Sequence, residues 1–176
     1  MNNIYLIGFM GSGKSYTGKL LAKEMNIYFL DLDQFIEESC NLSIPEIFKN
    51  FGEEGFRERE SFYLRKTADF KNTLISCGGG TPCFNENMKW IKENGISIYL
   101  KTDKNLLFSR LKEQKEDRPL ISNMTDIDLK NYIGSKIKER EKFYILADYV
   151  SIQEKNKNSL SDIQLFIEDK LKGNRS

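Results

Sequence analysis

Eight residues near the start of the chain, Gly8-Phe9-Met10-Gly11-Ser12-Gly13-Lys14-Ser15, have the types and spacing of a phosphate cradle, G-x-x-x-x-G-K-[ST]. Glycines let successive backbone N–H groups converge on phosphate oxygens, and a helix opening behind them adds the favourable end of its dipole. Lys14 has the reach to meet the outer phosphates of a nucleoside triphosphate, and the Ser15 hydroxyl is a ligand that Mg²⁺ accepts. The plain alternative is a Gly-rich turn that arose by chance. Against it stand the apolar run Ile4-Tyr5-Leu6-Ile7 just before the motif and Leu20, Leu21 and Met25 at helical spacing after it. The motif by itself does not choose among kinases, GTPases and motor ATPases.

A second metal anchor in such proteins is usually an Asp that ends an apolar strand. The run Thr73-Leu74-Ile75-Ser76 continues into Cys77-Gly78 without a carboxylate, and Ile96-Ser97-Ile98-Tyr99-Leu100 runs into Lys101. Tyr28-Phe29-Leu30 does end in carboxylates, Asp31-Leu32-Asp33. Alternation along a strand places Asp31 and Asp33 on one side, beside the expected phosphates. One then holds a magnesium-bound water, and the other accepts a proton from an acceptor hydroxyl. The competing structural role is Asp33 as a helix N-cap.

Two arginines interrupt apolar stripes. Glu60 shares a helical face with Phe56 and Leu64 and needs a partner, which Arg57 supplies at three residues' distance. Ile133, Ile137, Arg140 and Tyr144 share a face of a later helix. Each Arg alone could snorkel from the rim of the core. Together, in a chain with a phosphate loop, they point to a pocket for a small anion, since planar guanidinium groups pair bidentately with carboxylates. Gly78-Gly79-Gly80 follows a strand directly and lets backbone approach a ligand closely. The polar stretch 112–124, with Arg118-Pro119, reads as a short lid that carries Arg118 over a transferring phosphoryl group, although most charged loops are merely solvated.

These positions need a scaffold, and the remaining residues predict one. The chain has 176 residues, which suits one domain. Its 27 Lys+Arg against 26 Asp+Glu leave no basic excess for a dedicated nucleic-acid binder, and 12 Phe with 8 Tyr supply a core. The absence of His excludes His-dependent triads and His-based zinc sites. Three Cys without C-x-x-C fit reduced thiols in a cytosol. No apolar run reaches the length of a membrane span, and no secretory leader is expected. Strands over 4–7, 28–30, 73–76, 96–100 and 149–152 alternate with helices over 14–25, 85–94, 103–112, 126–146 and 159–171. Helical pieces fill 33–70, broken near Pro45 and Gly52. The expectation is an α/β protein with a parallel sheet covered on both faces and its ligands at the carboxyl ends of the strands.

Taken together, the chain resembles the shikimate kinase family of P-loop small-molecule kinases. The resemblance covers residues 2–146 and rests on G-x-x-x-x-G-K-S at 8–15, D-x-D at 31–33, F-R-x-x-E at 56–60, G-G-G at 78–80, R-P-L at 118–120 and R-x-x-x-Y at 140–144. It implies a three-layer α/β/α P-loop NTPase fold with a five-stranded parallel sheet in order 2-3-1-4-5. It also implies one kinase domain over 1–176, with an acceptor region near 32–61 and a lid near 111–124. The implied reaction is Mg²⁺-dependent transfer of the ATP γ-phosphoryl group to the 3-hydroxyl of shikimate, within aromatic amino-acid biosynthesis. The implied nucleotide contacts are Gly11, Ser12, Gly13, Lys14, Ser15, Tyr16, Arg110 and Arg118. Ser15 and, through water, Asp31 match the metal residues. Lys14, Asp33 and Arg118 match the catalytic ones. Asp33, Arg57, Arg140 and Gly78, Gly79 and Gly80 match the shikimate pocket, with Glu60 orienting Arg57. A monomeric cytoplasmic enzyme is implied, with no nucleic-acid or membrane partner. One departure is the segment Ser151–Lys157, which lacks the Pro that the family's adenine loop usually carries. The rival readings are a kinase for another small hydroxy acid such as gluconate, or an ATP-binding module without transfer.

Overall fold

In a computed structural model that describes residues 3–115, 120–154 and 160–173, strand β1 (Asn3–Ile7) is buried along its whole length. Its side chains alternate between two cores. Ile4 and Leu6 join Leu21, Leu74, Ile98 and Ile163 on one face of a sheet, while Tyr5 and Ile7 join Ile36, Phe56, Ile75 and Tyr144 on the other. A strand buried on both faces is central to a parallel sheet. β1 pairs on one side with β3 (Thr73–Ser76) and on the other with β4 (Gly95–Thr102). β2 (Tyr28–Asp31) and β5 (Tyr149–Gln153) form the edges, which gives the order β2-β3-β1-β4-β5 with every pairing parallel.

Helices cover both faces. α1 (Lys14–Glu24) and α7 (Leu160–Gly173) lie on one face. α2 (Leu32–Cys40), α3 (Ile44–Lys66), α4 (Asn87–Asn94) and α6 (Asp126–Tyr144) lie on the other. α5 (Lys104–Glu113) packs on α6 through a third cluster that includes Phe9, Leu107, Leu111 and Ile133. That cluster ties the phosphate loop, through Phe9, to the α5–α6 side of the molecule. The expected α/β/α layering and strand order are both present.

The register explains where the chemistry gathers. Asp31 is level with Ser76, and Ser76 with Leu6, so β2, β3 and β1 end side by side just before the glycine loop.

Several local expectations change. α2 begins directly after β2, so Asp33 sits in the first turn of a helix and not on an extended strand end. The N-cap is Asp31, whose side chain accepts from the Asp33 N–H at 3.2 Å, and not Asp33 itself. The helical stretch does break near Pro45, between α2 and α3, though not at the proline itself. Pro45 lies in the first turn of α3, where a missing N–H costs nothing, and the true break is at Asn41 in the left-handed region. Gly52, at φ 68°, kinks α3 as its position suggested. β4 runs longer than expected at both ends. In the lid span, residues 111–113 continue α5 and Ile121 is fully buried in the α5–α6 cluster, while 116–119 lie outside the described residues.

Candidate active site

The loop between β1 and α1 turns so tightly that Gly13, the residue before the helix, has φ 95°, which side chains other than glycine rarely adopt. α1 then begins at Lys14 with its free N–H groups aimed back over the loop. Lys14 Nζ donates to the carbonyls of Gly8 at 2.9 Å and Phe9 at 3.0 Å, which lays the ammonium across the cradle. Arg110, from α5, donates to the Gly11 carbonyl at 3.1 Å. A cavity of about 530 Å³ opens here, bordered by Gly11, Gly13, Lys14, Ser15, Tyr16 and Arg110. Tyr16 is mostly exposed. Ser12 does not border this cavity. Its hydroxyl is buried inside the loop without a hydrogen-bond partner, and a methyl group on Gly8 would meet it at 3.2 Å.

Across the cavity, Ser15 Oγ donates to Asp31 Oδ2 at 2.7 Å and lies 3.3 Å from Ser76 Oγ. These are hard oxygen donors, the kind that Mg²⁺ takes. Among the described residues there is no group of three or more His, Cys, Asp or Glu side chains that would cage a metal. Ser15 and Asp31 thus fit an ion that completes its shell with water and phosphate oxygens. Ser76, not being a carboxylate, carries no metal signal in the sequence. Its place became visible only with the β1–β3–β2 register.

Asp33 borders the nucleotide cavity and also a second one of about 590 Å³. Burial, with the like charges of Asp31 and Glu60, pushes its carboxyl up to about 6, against a smaller opposing pull from Lys14. The second cavity pairs an apolar wall of Ile44, Pro45, Phe48, Phe56 and Leu120 with the charged groups Asp33, Arg57, Glu60 and Arg140. Met10, Gly78 and Gly79 are shared with the nucleotide cavity, so the two are contiguous.

The glycine run is what brings the charged groups together. A methyl group on Gly78 would lie 2.9 Å from Asp33 Oδ1 and 3.1 Å from Glu60 Oε1. One on Gly79 would lie 3.2 Å from the Met10 N of the phosphate loop and 3.7 Å from Arg140 Nη1. One on Gly80 would lie 2.7 Å from both terminal nitrogens of Arg57. Each glycine therefore gives room to a different partner, and the run lies between carboxylate, phosphate loop and both guanidinium groups.

Arg57 donates to Glu60 at 2.7 Å, and Thr81 donates to the other Glu60 oxygen at 2.6 Å, so the buried carboxylate is doubly held. Arg140 is buried near the Phe9 ring, and the Tyr144 hydroxyl donates to the Gly79 carbonyl. The Nε atoms of Arg57 and Arg140 are both buried without a hydrogen-bond partner. Two cationic groups with orphaned donors on one cavity suit an anionic ligand. Of the expected site residues, Lys14, Ser15, Asp31, Asp33, Arg57, Gly78, Gly79, Gly80, Arg110 and Arg140 all face these two cavities. Arg118 lies outside the described residues, as do 155–157 of the departing adenine loop. The sequence reading missed Ser76, Thr81 and the apolar wall. Phe48 and Ile44 could have been found as apolar residues flanking a predicted break, but Thr81 had no sequence signal at all.

The thiols on either side of the glycine run are inert by environment. Burial pushes Cys77 far up, and burial also pushes Cys83 up to about 11, despite the nearby Arg140 and Arg57.

Comparison with known proteins agrees with this geometry. A family model described as shikimate kinase matches residues 10–170. A shikimate kinase of Phocaeicola vulgatus is 41% identical over 150 residues, spanning 85% of this chain and 86% of its own. One of Flavobacterium psychrophilum is 40% identical over 86% of this chain and 90% of its own. Among solved structures, shikimate kinase from Bacteroides thetaiotaomicron superposes with a TM-score of 0.90 at 36% identity, covering 95% of this chain and 98% of that one. Shikimate kinase from Acinetobacter baumannii in complex with shikimate gives 0.83 at 32% identity, covering 99% and 94%. A phosphate loop joined through one carboxylate to an arginine-lined cavity, with matches over nearly the whole length, places this chain in the shikimate kinase family.

Proposed function

We propose that ATP and shikimate occupy the two joined cavities and that this chain transfers the γ-phosphoryl group from the first to the second. The observation that carries the reading is the placement of Asp33 where the two cavities meet. The triphosphate lies over the loop backbone at Gly11–Gly13 and over Lys14 and Ser15, with Tyr16 and Arg110 at its rim and the Ser12 hydroxyl left buried inside the loop. The shikimate carboxylate lies between Arg57 and Arg140, with its ring on the apolar wall and its 3-hydroxyl toward Asp33.

The 3-hydroxyl oxygen bonds to the γ-phosphorus, the bond from that phosphorus to the bridging oxygen breaks, and ADP departs. The hydroxyl proton passes to Asp33. A carboxyl pushed up to about 6 is ionised at neutral pH yet basic enough to accept that proton. Phosphoryl transfer has a loose transition state, so positioning and charge neutralisation do most of the work. Lys14 neutralises charge on the phosphoryl oxygens, and Arg118 is assigned the same task from the lid. Mg²⁺ held by Ser15 and, through water, by Asp31 would supply further charge neutralisation there. Residues 32–61 form the acceptor region of a single domain in this reading. The enzyme is a cytoplasmic monomer, as its family resemblance implies, and sedimentation tests the oligomeric part.

A coupled assay of ADP release tests the whole. Release should depend on shikimate and on Mg²⁺ and should not occur with gluconate. Release with gluconate but not shikimate would replace the acceptor. ATP binding without release for either would leave a binding module.

A further inference from the structure

We infer that Phe84 is a positioning residue for the acceptor clamp, setting the plane of the Arg57 guanidinium without touching the acceptor. The inference rests on the reading that Arg57 takes the shikimate carboxylate. Arg57 is anchored strongly at one corner only, through Nη1 to Glu60 at 2.7 Å. Its contact from Nη2 to Glu53 is long, at 3.4 Å, and Glu53 is 65% exposed, so solvent competes for it. Nε has no partner. A planar cation held at one corner is free to tilt, and tilt would ruin a bidentate pairing with a carboxylate. What limits the tilt is a ring. The guanidinium carbon lies 4.2 Å from the centre of the Phe84 ring, against 5.0 Å for Phe56.

The platform is itself fixed to the helix that carries Arg57. Asn85, the next residue, donates to the Arg57 carbonyl at 3.2 Å and to Ser61 Oγ at 2.9 Å. Arg65 donates to the Asn85 carbonyl at 3.0 Å. On the other side, Cys83 N–H donates to the Gly80 carbonyl at 2.9 Å. The segment after the glycine run thus holds the Arg57 backbone through Asn85 and its side chain in two further ways. Thr81 reaches it through Glu60, and Phe84 covers it directly. Phe84 does not border the acceptor cavity, so its influence runs through Arg57.

The test compares shikimate and ATP binding by titration, with kcat and KM for both, in Phe84→Leu, Phe84→Met, Phe84→Trp, Arg57→Ala and the Arg57→Ala/Phe84→Leu double variant. Loss of a partly desolvated cation–π contact should weaken shikimate roughly three- to tenfold in the Leu and Met variants, with ATP binding unchanged. Phe84→Trp should restore near-wild-type shikimate affinity. Adding Phe84→Leu to Arg57→Ala should change shikimate binding no further. Wild-type shikimate affinity in the Met variant, or equal weakening with and without Arg57, overturns the role of Phe84. If Arg57→Ala itself leaves shikimate binding intact, the clamp reading fails instead, and with it the premise. A purely structural effect would lower Tm and weaken both substrates together, and that pattern also rejects the proposal.

Discussion

The two halves of the site are made from different materials. The nucleotide half is built largely on one contiguous stretch, 8–15, which turns on glycines into the start of α1, with Asp31 and Arg110 added from elsewhere. The acceptor half is mostly side chains, drawn from Met10 of the phosphate loop, α2, α3, the glycine run, Leu120 and α6. Binding phosphate needs only a loop shape, which a short motif specifies. Choosing one hydroxy acid needs charges at fixed separations, which only a folded chain provides. The general half is local, and the selective half is distributed. The glycine run joins them, since Gly79 borders both the phosphate loop and Arg140.

This difference predicts how variants divide. The largest effects come from the reacting groups. Asp33→Ala and Arg140→Ala should each cut shikimate turnover by about 10³-fold or more while titration still detects ATP binding. Lys14→Ala should lose turnover just as far yet leave shikimate binding within about twofold of wild type. If acceptor variants lose ATP binding equally, the two halves are not separable in the way described.

Next in size is Gly80→Ala. Its new methyl group would meet the far end of Arg57 at 2.7 Å, and a flexible side chain yields before backbone does. We expect the shikimate KM to rise about tenfold, the cost of a misaligned charged hydrogen bond, with the KM for ATP and the Tm little changed. A large fall in Tm would mean that Gly80 serves folding and not the clamp.

A smaller effect concerns pH. Asp33 titrates near 6 in the folded chain and near 4 unfolded, so the folded state holds its proton more tightly. Stability from this group is present below about pH 4 and is lost as pH rises through 6. Asp33→Asn should therefore raise Tm at pH 8 by about 5–10 °C and by about half as much at pH 5, even as it stops turnover. In the wild type, log kcat/KM should fall with unit slope below about pH 6, where the base is protonated. A flat profile down to pH 5 would remove Asp33 as the proton acceptor. The smallest effect is none. At pH 7, iodoacetamide should leave Cys77 and Cys83 unmodified and activity intact, because both thiols are held protonated.

Legibility in the sequence follows the same division. The sheet and the phosphate loop were readable because their signals are short-range: alternation, helical spacing and glycines at set intervals. Alternation along a strand points to Asp33, yet it reaches the cavities from a helical turn that Asp31 caps. Arg57, Glu60 and Arg140 stood out because charge on an apolar face is costly and needs a reason. Ser76, Thr81 and Phe84 were invisible, because their roles depend on strand register and on what packs across from them. An ordinary residue gains a role only through a neighbour distant in the chain.

The most direct measurement is a crystal structure of this chain with shikimate and an unreactive ATP analogue. The shikimate carboxylate should pair with both Arg57 and Arg140, and its 3-hydroxyl should sit about 3 Å from Asp33 and face the γ-phosphorus. Shikimate bound elsewhere, or with that hydroxyl turned from Asp33, would contradict the account.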